Sequence, residues 1–188
     1  MKTILLTGGA RSGKSHYAQE LALKLDQPVL FVATAEAGDE EMKQRIEAHR
    51  KARPSSWTTL EATTHIGSHI PPKIDKAQTV VVDCITLLIN NIFASYSSSD
   101  YEQIDASLIE KEIIAEIDEL IACIETTNAN FIIVTNEVGL GLVPPNKLGR
   151  LYRDFLGKAN QILAQSADEV YLMVAGLPLP VKTANSDE

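Results

Sequence analysis

The sequence predicts an α/β fold, a mostly parallel β-sheet covered by helices on both faces. Two observations carry this. Short, nearly continuous apolar runs alternate with segments of helical period along the chain, and strands that are apolar on both sides are buried on both sides. The first of these runs also opens directly into a glycine-rich turn and a helix.

Taken in order, "KTILLT" (2–7) reads as a buried strand ending at glycines. From Lys14 to Leu25, Ala18, Leu21, Ala22 and Leu25 recur at helical spacing. "PVLFVAT" (28–34) reads as a second strand. "DEEMKQRIEAHRKAR" (39–53) reads as a helix, with Asp39 as N-cap, acids in its first turn and bases at its end, which suits the helix dipole; Pro54 stops it. "TVVVDC" (79–84) is a β-branched third strand, and residues 101–125 form a long amphipathic helix with an acidic outer face. A strand at "NFIIVTN" (130–136), a helix over 146–167 and a strand at "EVYLMVAG" (169–176) complete the series. "SYSSSD" (95–100) is a polar loop and 183–188 a disordered tail, which leaves one domain over 1–182.

Composition narrows the function classes. A formal net charge of −8 argues against general nucleic-acid binding, which needs a basic surface. No run is long enough to span a bilayer, and the N-terminal apolar run is too short for a signal peptide, so a cytoplasmic protein is expected. Cys84 and Cys123 stand in apolar contexts without metal-ligand spacing and read as buried free thiols.

The most informative stretch is "TGGARSGKS" (7–15), which holds G-x-x-x-x-G-K-S between a predicted strand and a predicted helix. In such a phosphate loop (P-loop), glycines let backbone N–H groups turn inward on phosphate oxygens, and the helix N-terminus adds positive potential. Gly8, Gly9, Ala10, Arg11, Ser12, Gly13, Lys14 and Ser15 are therefore candidate nucleotide-binding residues. Lys14 would bridge the outer phosphates and Ser15 would hold Mg²⁺; Arg11 faces either nucleotide or solvent. Asp83, at the end of an apolar strand, is the expected acid, either binding Mg²⁺ through water, orienting a substrate hydroxyl or capping a loop. The guanine-reading Asn-Lys-x-Asp of regulatory GTPases is absent, and "GLG" (139–141) is no dinucleotide fingerprint.

Four histidines invite scrutiny. His16, after the phosphate loop, reads as a helix-packing residue. His65 and His69 are four apart, but no carboxylate or cysteine nearby in the sequence completes a metal site. His49 lies among Arg45, Arg50, Lys51 and Arg53. Like charges around an imidazole disfavour its protonated form, so this setting suits either a solvated basic helix face or a nucleophile with a free lone pair.

The phosphate loop, R-I-x-x-H-x-x-x-R-P-x-x-W-x-T-x-E (45–61), "VVVDCIT" (80–86) and T-N-E-V-G-x-G-x-V-P (135–144) together resemble the bifunctional adenosylcobinamide kinase / adenosylcobinamide-phosphate guanylyltransferase family of cobalamin biosynthesis. The match runs to about residue 182. The phosphate loop is shared by many families, whereas the two longer strings are specific. The resemblance implies a RecA-like P-loop NTPase fold and a homotrimer. It implies phosphorylation of the adenosylcobinamide hydroxyl with ATP or GTP, then transfer of GMP from GTP to that phosphate through a guanylylated histidine, at His49 in this chain. It also implies nucleotide contacts at Ala33, Thr34 and Ala35, at Arg50, Lys51, Ala52 and Arg53, and at Glu61 and Asp83, with Mg²⁺ held by Ser15 and Asp83. Departures are modest: Ala52 replaces a smaller or polar residue, Asp83 stands where Glu also serves, and Pro180 disturbs the last strand. A P-loop small-molecule kinase without guanylyl transfer, and a nucleotide switch acting on a protein partner, are the competing readings.

Overall fold

A computed structural model describes residues 1–36, 38, 40–51, 53–96 and 105–183. The proposed N-cap Asp39, residue Ala52, most of the polar loop after Tyr96 and the tail from 184 lie outside the described residues.

One seven-stranded sheet organises the chain. The strands are β1 (Thr3–Gly8), β2 (Val29–Ala33), β3 (Thr58–Glu61), β4 (Thr79–Asp83), β5 (Asn130–Val134), β6 (Glu169–Val174) and β7 (Leu177–Lys182). Their spatial order is β3-β2-β4-β5-β1-β6-β7. All pairings are parallel except β6 with β7, which is antiparallel. The fold is thus the expected mostly parallel α/β sheet, with β5 between the phosphate-loop strand β1 and the acid-bearing strand β4.

Each central strand feeds two cores by simple alternation. Leu5, Leu30, Val32, Val80, Val82, Phe131 and Ile133 point to one face, and Leu6, Phe31, Val81, Ile132 and Val134 to the other. The first face carries α3 (Ile66–His69), α4 (Ile85–Ser95), α5 (Ala106–Thr126) and α6 (Lys147–Ser166). The second carries α1 (Lys14–Lys24), through Ala18 and Ala22, with Trp57 beside it. The helix α2 (Glu40–Lys51) buries none of its described side chains, of which Ile46 and His49 are partly buried.

The expected strands and helices are present with ends shifted by a few residues, as capping dictates. Asp105 caps α5 by accepting from the N–H groups of Ser107 and Leu108, and Asn146 caps α6 through Gly149 N–H. The chain breaks earlier than expected after α2, which ends at Lys51.

Four elements were not expected. β3 is a four-residue edge strand with one buried position, too short to show alternation. α3 is a single helical turn. α4, "ITLLINNIFAS", buries Ile85, Leu88, Ile89, Ile92 and Phe93 at helical spacing and leaves Asn90, Ala94 and Ser95 exposed, so its amphipathic period was present in the sequence. β7 carries Pro178 and Pro180 opposite Met173 and Tyr171. Proline donates no ladder hydrogen bond and is tolerated here because β7 is the sheet edge.

Candidate active site

The phosphate loop follows β1 at the carboxyl edge of the sheet, where open α/β sheets hold their ligands. Two glycines are required there by close approach. Gly8 has φ +145°, and a Cβ on it would lie 2.5 Å from the Met173 carbonyl oxygen. Gly13 has φ +96° and ends the loop as the left-handed N-cap of α1; a Cβ on it would lie 3.1 Å from Gly176 Cα. No side chain caps α1, and the positive end of its dipole points toward the loop, which favours an anion there. Lys14 is 6% exposed and folds back on its own loop, donating from Nζ to the carbonyls of Gly8 (3.0 Å) and Gly9 (2.6 Å) and to Ser12 Oγ (3.3 Å). Gly9, Ala10 and Arg11 are exposed, Arg11 at φ +58°, so Arg11 faces outward.

Asp83 ends β4 in register with Ala33 of β2 and Val134 of β5. Burial pushes its carboxyl up from the ordinary value, while a hydrogen bond from Ser15 and the charges of His49, Arg53 and Lys14 pull it back. One carboxylate therefore ties together the phosphate loop, the histidine of α2 and the arginine after it. His49 is half-buried at the end of α2, and its charge is among those acting on Asp83. The Ser15 hydroxyl bonded to the Asp83 carboxylate is a pair of hard oxygen donors, the set that suits Mg²⁺.

The remaining candidates divide between exposed contacts and framework. Arg50 Nη2 donates to Glu61 Oε1 at 2.5 Å, joining the end of α2 to the end of β3; both side chains are exposed. Lys51 is exposed. The Arg53 guanidinium lies 3.9 Å over the Phe31 ring, and Trp57 stacks with the same Phe31 at 6.3 Å between centroids. Burial lowers the Arg53 pKa, an effect the charge of Asp83 opposes, and its Nε is a buried donor without a partner. Thr34 is fully buried; its hydroxyl donates to the Cys84 carbonyl (2.7 Å) and accepts from Cys84 N–H (2.9 Å), and Asn91 Nδ2 donates to its carbonyl (2.8 Å). Ala33 is also buried, so of that trio Ala35 is the residue with exposed surface.

The "TNEVG" string proves to be structural at its start. Thr135 Oγ1 donates to Asn160 Oδ1 (2.7 Å), Asn160 Nδ2 donates to the Asn136 carbonyl (2.9 Å), and Asn136 N–H donates to Thr86 Oγ1 (2.8 Å). Glu137 N–H then donates to the Gly8 carbonyl at 2.9 Å, so this segment braces the first residue of the phosphate loop. Asn160 and Thr86, hidden inside helices, had no sequence signal of their own.

Two histidine expectations are corrected. The His16 side chain is not a packing residue: it is 80% exposed and faces Glu20 at 3.3 Å, on the side of α1 opposite the buried Lys14 and Ala18. His65 does meet carboxylates. Glu116 and Glu119 of α5 approach it, with Nδ1 4.0 Å and 3.2 Å from their oxygens, and these three are a grouping of metal-ligand type among the described residues. The carboxylates come from 51 and 54 residues away, which no local reading could supply. Both are already engaged. Glu116, 4% exposed, accepts from the N–H groups of His65 (2.7 Å) and Ile66 (3.0 Å), and Glu119 accepts from Ser68 N–H (2.6 Å) and its hydroxyl. They cap α3. Cys84 and Cys123 are free thiols as expected; burial pushes Cys84 up to about 11.

Fold and site together define a P-loop α/β protein. The model of the family described as "Cobinamide kinase / cobinamide phosphate guanyltransferase" matches residues 4–181, and the chain belongs to that family. It is 42% identical over 180 residues to the bifunctional adenosylcobalamin biosynthesis protein CobU of Escherichia coli K12, covering 95% of this chain and 99% of the relative. The CobU of Salmonella typhimurium LT2 is equally similar over the same shares. The bifunctional adenosylcobalamin biosynthesis protein CobP of Pseudomonas aeruginosa PAO1 is 37% identical over 178 residues, 95% of this chain and 96% of its own. Among solved structures, the RadB recombinase aligns over 91% of this chain and 73% of its own at 14% identity, with a TM-score of 0.48.

Proposed function

We propose that the protein phosphorylates the hydroxyl of adenosylcobinamide with a nucleoside triphosphate and then transfers GMP from GTP to the resulting phosphate, giving adenosylcobinamide-GDP. The observation that carries this reading is the meeting of His49, Lys14, Ser15 and Arg53 around Asp83 at one edge of the sheet, in a chain of this family.

In the first step the substrate hydroxyl oxygen bonds to the γ-phosphorus, the bond to the β-phosphate oxygen breaks, the nucleoside diphosphate leaves and the hydroxyl proton is released. The loop N–H groups and the Lys14 ammonium hold the phosphates, Lys14 exchanging its bonds to Gly8 and Gly9 for bonds to phosphate oxygens. Ser15 and Asp83 would hold Mg²⁺, which neutralises charge on the phosphates when bound.

In the second step a ring nitrogen of His49 bonds to the α-phosphorus of GTP and pyrophosphate leaves. An oxygen of the substrate phosphate then displaces the imidazole, breaking the phosphorus–nitrogen bond and restoring the histidine. The unpartnered Nε of Arg53 supports a role in holding the nucleotide, since a buried donor without a partner is costly until something accepts from it. Ala33–Ala35, Lys51, Ala52, Arg50 and Glu61 complete the proposed nucleotide contacts, and a homotrimer acting in the cytoplasm is the proposed setting. No helix among the described residues is long and apolar enough to cross a membrane.

Incubation with α-labelled GTP tests the nucleophile. An acid-labile adduct is expected on the wild type and none on His49→Ala. An adduct that persists on His49→Ala overturns the assignment; no adduct on the wild type leaves a kinase without guanylyl transfer. Lys14→Ala is expected to remove most cobinamide phosphorylation, and a near-normal rate would move the kinase centre elsewhere.

A further inference from the structure

The loop that leaves β5 beside the phosphate loop displays three apolar side chains to solvent: Leu140 at 75%, Leu142 at 97% and Val143 at 67% exposure. Apolar side chains left in water are unfavourable, so three uncovered in one short loop call for an occupant. Their loop is held in shape at both ends. The Glu137 carboxylate accepts from Gly139 N–H (3.2 Å), Gly141 N–H donates to the Val138 carbonyl (3.1 Å), and Arg150 Nη1 donates to the carbonyls of Pro144 (3.2 Å) and Pro145 (2.8 Å).

Beside the loop runs a groove of about 530 Å³ between Glu137, Gly139 and the outer face of α6. Its cations are already paired, Arg153 with Asp154 (2.9 Å) and Lys158 with Glu110 (2.6 Å). The groove therefore offers polar contacts without an uncompensated positive charge, which suits neutral amides better than an anion. Gly157 opens it: nothing lies within 4 Å of where its Cβ would be.

We infer that loop 138–146 and this groove bind the corrinoid ring of the acceptor. This rests on the proposed function and adds the place of its second substrate. A corrinoid has an apolar rim and many neutral amide side chains, the complement of the apolar loop and the charge-paired groove. The position also fits. Along the carboxyl edge of the sheet, His49, Arg50 and Glu61 approach Asp83 from the side of β2 and β3, whereas this loop approaches from β5. Glu137 N–H on the Gly8 carbonyl sets the loop directly against the phosphates' cradle, so a hydroxyl on a flexible arm of a ring seated here reaches the transferred phosphoryl group.

Two variants test it: Leu142→Ser with Val143→Ser, which removes the apolar rim, and Gly157→Phe, which fills the groove from an open helical position. Cobinamide phosphorylation is measured alongside GTP-dependent labelling of the protein, which needs no corrinoid, and mass in solution by light scattering. The expected result is a KM for cobinamide raised at least tenfold in both, with nucleotide KM, self-labelling and mass unchanged. A cobinamide KM within twofold of wild type overturns the inference while leaving the proposed function standing. A changed mass accompanying the loss makes the loop a contact between copies and overturns it as well. If the wild type fails to phosphorylate cobinamide, the functional reading falls and takes this inference with it.

Discussion

Gly176, in the turn between β6 and β7, donates its N–H to the Ser12 carbonyl at 2.9 Å, and its Cα occupies the space a Cβ on Gly13 would need. The sheet-edge hairpin thus holds the phosphate loop from behind. Gly13→Ala introduces a side chain at φ +96° against backbone only 3.1 Å away. The expected cost is about 1–3 kcal/mol of stability, with nucleotide binding at least tenfold weaker. Gly176→Ala suffers strain at φ +85° but meets nothing within 4 Å, so its loss should be smaller. Thermal unfolding and nucleotide titration of the two variants compare these outcomes; equal effects would mean that the close approach does not matter.

Asp83 should trade stability for function. Its carboxyl is raised by burial despite Ser15, His49, Arg53 and Lys14. A group whose folded pKa lies above its unfolded value destabilises the fold once pH exceeds the unfolded value. Asp83→Asn removes that burden, so Tm at pH 7 should rise by about a few degrees, while phosphorylation of cobinamide falls by at least tenfold. A lower Tm in the variant would show that the bonds to Asp83 outweigh its burial.

What could be read from the chain follows the distance between partners. The phosphate loop was legible because Gly8 to Ser15 are contiguous, and the central strands because Val80–Val82 and Ile132–Val134 are apolar on both faces. β3 was not, since its four residues hold one buried position and show no alternation, whereas α4 does carry a helical period in Ile85, Leu88, Ile89, Ile92 and Phe93. The basic neighbours of His49 and the resemblance made it a candidate, but its charge acts on Asp83, 34 positions away, only because the fold brings α2 toward the end of β4. The stacking of Arg53 and Trp57 on Phe31 likewise joins residues more than twenty positions apart, and no spacing rule announces such a contact.

The His65 clasp on α5 should be pH-dependent. His65 is raised by its bond to Glu119, opposed by burial and aided by the charges of Glu116, Glu119 and Glu112. Burial raises Glu119, but bonds from Ser68 and His65 outweigh it and its net shift is downward. The histidine's contribution is full below its ordinary value of 6.5 and fades as pH rises through its raised folded value. The Glu119 contribution is full above its ordinary value of 4.5 and fades as pH falls through its lowered one. The pair is therefore strongest between these two ordinary values. His65 is mostly exposed, so solvent screening holds the pair below about 1 kcal/mol. The stability difference between wild type and His65→Gln, from denaturant unfolding, should be largest near pH 5.5 and vanish by pH 9; a difference constant across that range would refute the clasp.

Arg53 separates packing from nucleotide binding. Its guanidinium covers Phe31, and a cation over an aromatic face is worth about 0.5–2 kcal/mol. Arg53→Met keeps a long apolar stem over the ring but removes the charge and the unpartnered Nε donor. Stability should therefore change by no more than about 1 kcal/mol, since the ring stays covered and a buried, unpaired polar atom is lost. Binding of GTP should nevertheless weaken at least tenfold, because a guanidinium able to pair with phosphate is gone. Arg53→Lys restores the charge without the planar fork and should recover only part of the affinity. Parallel unfolding and GTP titrations of both variants measure the two effects; affinity that tracks stability through the series would make Arg53 a packing residue and leave His49 and Lys14 to hold the nucleotide without it.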